Sequence, residues 1–166
     1  MNTEKINEKI ENEVSKFLPS KNQRQEGSYA VCECHQEIPC NPCVTSCPTG
    51  AITQETINST PDIDFDQCVG CRECVTACPG LACFVIDETY SETQALLHIP
   101  YEFLPLPEEG DIVQGLDRKG NEVTEVEVKR VDDRETLNGS NVVTLITPKE
   151  KVHQIRNIKL LGGKRG

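Results

Sequence analysis

Residues 68–79 read CVGCRECVTACP, and the cysteines at 68, 71, 74 and 78 keep a C-x2-C-x2-C-x3-C-P spacing without deviation. That spacing lets three thiolates wrap one cubane, while the fourth reaches away to a second cluster when two are present. Pro79 helps to turn the chain after that fourth ligand and removes one amide donor. A zinc site would instead show two separated C-x2-C pairs. The run is an iron–sulfur motif.

A second copy lies upstream. Aligning PCNPCVTSCP with GCRECVTACP matches Cys40 to Cys71, Cys43 to Cys74, Cys47 to Cys78 and Pro48 to Pro79, each at an offset of 31 (71−40, 74−43, 78−47, 79−48). An internal repeat of this kind points to a duplicated cluster-binding unit. The twin of Cys68 falls at position 37 (68−31), which is glutamate. Three readings compete for the missing ligand. Cys34 could supply it through a C-x5-C loop, or Cys32 through C-x7-C, or no thiolate reaches and the site keeps three irons or uses the Glu37 carboxylate. Soft sulfur suits the cluster better than carboxylate, and a loop lengthened by a few residues costs little entropy. Cys34 needs less slack than Cys32 and is the favoured ligand.

Residues 30–87 resemble a bacterial-type two-cluster ferredoxin, which binds two [4Fe–4S] clusters. Applied position by position, the resemblance implies that Cys34, Cys40, Cys43 and Cys78 hold cluster 1. Cys47, Cys68, Cys71 and Cys74 would hold cluster 2. Short strands around AIT (51–53) and FVID (84–87) would flank them, as in that fold. Cys83 aligns with Ile52 (83−31) and reads as a small buried hydrophobe.

The rest of the chain reads differently. Ile6, Ile10, Val14 and Phe17 recur at helical spacing, predicting a helix over 2–18 after Thr3. From Thr93 the texture turns to β. QALLHIPYEFL, DIVQGLD, NEVTEVEVKRV, NVVTLIT and VHQIRNIKL predict five strands, with turns at DRKGN (117–121) and LNGS (137–140). Five short strands suggest a small closed barrel, since closure removes exposed edges. The expected fold class is α+β: an N-terminal helix and linker (1–27), a dicluster ferredoxin-like domain (28–92), a five-stranded β-barrel (93–161) and a tail (162–166). His98 and His153 fall in predicted strands and read as structural. The basic end RNIKLLGGKRG reads as solvated.

Ten cysteines in 166 residues, without an apolar leader at the N-terminus, point to a reducing cytoplasm, where metal is favoured over disulfides. No run is long enough to span a membrane. A net charge of −10 argues against nucleic acid and suits a soluble electron carrier steered to basic partner surfaces. No nucleophile–base constellation is present, so no catalytic residue is expected and the chain is not an enzyme on its own.

Three phrases, EIPCNPC (37–43), CPGLA (78–82) and PYEFLPLPEEGD (100–111), are similar to those of iron–sulfur proteins that accompany flavin-dependent amino-acid dehydrogenases of the proline, hydroxyproline or sarcosine type in anaerobic bacteria. There the last phrase opens a small SH3-like barrel. The resemblance implies an electron-transfer subunit whose two clusters take single electrons from, or give them to, a flavin in a partner dehydrogenase. The alternatives are a free diffusible ferredoxin serving several enzymes and an iron–sulfur redox-sensing regulator.

Overall fold

The computed structural model describes residues 12, 14–133 and 139–162. Most of the helix expected over 2–18 and the LNGS turn lie wholly or partly outside them. The described end of that helix is a 3-10 turn, Ser15–Phe17, after which the backbone extends at Leu18.

Two short helices follow, α1 (Pro42–Ser46) and α2 (Glu73–Ala77), each inside one cysteine motif. Among the described residues there are nine strands: β1 (Tyr29–Cys32), β2 (Ile52–Thr53), β3 (Asp62–Ile63), β4 (Cys83–Asp87), β5 (Gln94–Tyr101), β6 (Ile112–Leu116), β7 (Glu122–Asp132), β8 (Asn141–Pro148) and β9 (Asn157–Leu160). β2 and β3 form a two-stranded ladder. The other seven make one antiparallel sheet in the order β1-β4-β5-β8-β7-β6-β9.

All five expected β strands are present, and β7 behaves as its alternation requires. Val126 and Val128 are buried, while Glu125, Glu127 and Lys129 are exposed. A register shift between Val128 and Arg130 lets this long strand bend. The last expected strand is shorter than its apolar pattern suggested. Residues 149–154 form turns, so His153 sits in a turn and only Asn157–Leu160 pairs.

The closed barrel is not what the pairing shows. Among the described strands β9 pairs only with β6, and the outer edge of β5 is taken by β4 from the cysteine-rich half. Occupying that edge protects it as closure would have done. The sheet therefore runs without a break across residue 92.

β1 and β4 are the wall between two cores. Their register pairs Tyr29 with Ile86 and Val31 with Phe84 on one face, and Ala30 with Val85 and Cys32 with Cys83 on the other. The first set packs with Leu97, Ile99, Val128, Leu145, Ile155 and Ile158 in the larger core. The second packs with Cys43, Ile52, Cys74, Val75 and Val142 in a smaller, cysteine-rich core. A strand buried on both faces reads as a continuous apolar run, as YAVC and CFVI do.

Polar ties join the halves as well. The Glu33 carboxylate, just past β1, accepts Arg118 Nε at 2.8 Å and Arg156 Nε at 2.9 Å, and Arg118 Nη2 closes a second bond. Arg156 is buried, with its guanidinium 4.9 Å from the centre of the Phe84 ring. The basic end of the chain thus starts inside the protein. On the other side Arg72 pairs with Asp132, and the Ser140 amide donates to the Thr76 carbonyl at 3.0 Å.

Candidate iron–sulfur centre

The 31-residue repeat is written into the backbone. α1 and α2 are related by it (42+31=73, 46+31=77), and each ends at a cysteine whose backbone is extended, Cys47 (φ −74°, ψ 110°) and Cys78 (φ −70°, ψ 112°). The proline after each forbids a further helical turn. Both helices place their inner cysteine, Cys43 or Cys74, in the smaller core.

Around each turning cysteine the amides follow the same rule. Backbone N–H groups of Thr49, Ala51 and Ile52 point at the Cys47 sulfur, and those of Gly80, Ala82 and Cys83 point at Cys78. These positions are again 31 apart. The proline at the first position of each loop has no N–H to give. Val44 and Val75 supply the matching amides to Cys43 and Cys74. Amide hydrogen bonds to sulfur are a principal control on cluster potential.

The thiols divide into two sets. Cys47, Cys68, Cys71 and Cys74 line one cavity, walled by Ala30, Ile52 and Val85. The Ala30 amide donates to Cys68 Sγ at 3.4 Å. Around Cys40 lie Cys43, Cys78 and Cys34, which forms the second set. Glu37 is exposed. Cys32 is elsewhere, inside β1, with its Sγ 3.1 Å from that of Cys83. Among the described residues no three such side chains are placed to hold a single metal ion.

Proton sharing separates these groups further. Hydrogen bonds from Cys32 and Cys83 hold Cys74 well below the ordinary thiol value, and a hydrogen bond from Cys83 brings Cys78 down to about 6. Cys83 is correspondingly pushed far up by its thiol neighbours, Cys32 first among them. Cys32 is raised chiefly by its hydrogen bond with Cys74. Burial opposes ionisation of Cys47, but the amides of Ile52, Thr49 and Ala51 with the Thr49 hydroxyl outweigh it. Thiolates are the metal-binding form. Cys40 and Cys71 are raised, first by burial and then by neighbouring thiolates, the repulsion that iron would relieve.

Residues 38–82 match the 4Fe-4S dicluster domain family. The donor set fits this assignment, because two groups of thiols with amide-lined sulfurs are what two cubanes need. The dicluster domain carries two [4Fe–4S] clusters. The match ends at Ala82, so the strands β4 to β9 lie beyond it. No curated protein and no solved structure matches the chain significantly.

Sequence reasoning did not find β1, because its four residues are apolar on both faces and show no alternation. Nor did it find Glu33 and Arg156, whose only signal is charge. His35, beside Cys34, is exposed and meets the Phe17 ring edge-on at 5.1 Å.

Proposed function

We propose that this chain is an electron-transfer subunit that relays single electrons between its two [4Fe–4S] clusters and a flavin-containing dehydrogenase. Cys34, Cys40, Cys43 and Cys78 ligate one cluster, and Cys47, Cys68, Cys71 and Cys74 the other. The observation carrying this reading is the repeated amide cage at Cys47 and Cys78, a device for setting cluster potentials. A flavin exchanges two electrons with an organic substrate but releases them singly, so two one-electron centres form a matched acceptor.

Two further features support a docked role. Ile38 and Val69, 31 residues apart, are 48% and 63% exposed beside the two thiol sets. They offer apolar contacts where a partner would come nearest to each cluster. The acidic chain also suits a basic partner surface. An amino acid such as proline or hydroxyproline is the substrate class that the resemblance suggests for the partner.

Anaerobic co-purification from the native source, with iron and flavin quantified, tests the proposal. A stoichiometric flavoprotein supports it. Weak, salt-sensitive contacts alone would favour a free carrier, and amino-acid oxidation by the isolated chain would end the subunit reading.

A further inference from the structure

Cys32 and Cys83 are outside both ligand sets, yet they face each other across β1 and β4 as register partners. The next pair along, Glu33 and Ala82, is hydrogen-bonded, with the Glu33 amide donating to the Ala82 carbonyl at 2.8 Å. Antiparallel pairing alternates, so Cys32 and Cys83 occupy a non-hydrogen-bonded position, where Cα atoms stand about 4.5 Å apart. That lies within the range of roughly 4.4–6.8 Å that a disulfide accepts. The two Sγ atoms are already 3.1 Å apart.

Their surroundings are equally specific. Cys83 is within hydrogen-bonding reach of Cys43 and Cys78 from one set and of Cys74 from the other. Both residues are almost wholly shielded from solvent, at 3% and 2% exposure. The repeat shows what the fold alone requires here. The pair related by 31 residues (83−31=52, 32+31=63) is Ile52 and Ile63, also register partners. One cysteine would serve as a small apolar filler. Two on facing positions are the requirement for a disulfide.

We propose that Cys32 and Cys83 form a dithiol–disulfide couple that exchanges two electrons with the two clusters. On oxidation two S–H bonds break and one S–S bond forms. Two protons leave to solvent, and the two electrons would pass to the clusters that the two thiol sets would hold. In the reverse direction the S–S bond breaks and both S–H bonds re-form, with two protons from solvent and two electrons that the clusters would supply. The chain then stores a pair of electrons as well as passing single ones. The inference rests on the two-cluster reading and on Cys32 not being a ligand.

The test is an anaerobic reductive titration of the holoprotein with a mediator. Samples are quenched in denaturant with excess alkylating reagent and mapped by peptide mass. The expected result is a linked Cys32–Cys83 peptide in the oxidised protein and two alkylated cysteines after reduction. The wild type should take up twice as many electrons per chain as Cys83→Ala at equal iron content. Full alkylation of both cysteines in both states, or equal uptake by the two proteins, overturns the couple. Loss of iron from Cys32→Ser overturns it separately, by making Cys32 a ligand. Low iron in the wild type would instead strike the two-cluster reading beneath it.

Discussion

Arg156 donates its Nε to Glu33 Oε1 at 2.9 Å from a position 7% exposed, which makes this pair, among the described residues, the most deeply placed ion pair between the two halves of the chain. Burial pulls the Arg156 pKa down to about 10, and Glu33 opposes that fall. Removing the carboxylate leaves a buried cation without its partner. Glu33→Gln is expected to cost about 3 kcal/mol. Arg118→Ala should cost well under half of that, since Arg118 is much more exposed. Urea unfolding followed by circular dichroism checks the order, and equal costs would contradict it.

The same carboxylate gives the protein an acid limit. Burial acts to raise Glu33, but hydrogen bonding from Arg118 and the charge of Arg156 hold it below its ordinary value. A depressed carboxyl stabilises the fold above the unfolded-state pKa, and that contribution disappears as pH falls through the folded value. His98 acts in the same direction. Its ring bonds Thr144 Oγ1 at 2.8 Å, and burial brings its pKa down to about 4. The unfolded chain therefore takes up this proton first, and stability falls from about pH 6.5 toward pH 4. NMR titration of the ring should give a midpoint near 4. A midpoint at the free-imidazole value would contradict the burial argument.

Gly70 and Gly50 both adopt left-handed backbone, with φ of 64° and 70°. Only Gly70 is crowded as well. A Cβ there would collide with Ser28 Cβ, whereas one on Gly50 would meet open space. Gly50→Ala should therefore cost only the left-handed penalty, roughly 1–2 kcal/mol, with both clusters kept. Gly70→Ala, between Cys68 and Cys71, should lose the neighbouring cluster and halve the iron content. Iron and sulfide assays on the two variants decide it.

Cys34→Ser should abolish the spectrum of one cluster, because Cys34 lies with Cys40, Cys43 and Cys78. Cys32→Ser should keep both clusters. The opposite outcome, read by EPR of the reduced proteins, would move the ligand two residues upstream.

The cysteine spacing and its repeat were legible because cluster ligation demands particular residues at particular offsets. The five β strands after Thr93 were legible because each faces the core on alternate residues or is a short apolar run between turn signals. What stayed hidden depends on distance in space. Val31 and Phe84 look like ordinary apolar residues, and nothing local tells that their strands must be covered on both sides. The expected barrel closure failed for the same reason, because β5 meets β4 before it can meet β9. Arg156 read as part of a solvated tail since a single cation carries no mark of its burial.

The doubly buried β1–β4 wall has a thermodynamic consequence. A layer shared by two cores cannot loosen on one side without disturbing the other, so cluster occupancy and the ordering of the distal sheet are linked quantities. Loading iron should slow amide exchange along β5 and β8, and extracting it should quicken exchange there. The strands beyond the dicluster domain would then serve as a gauge of whether its metal is in place.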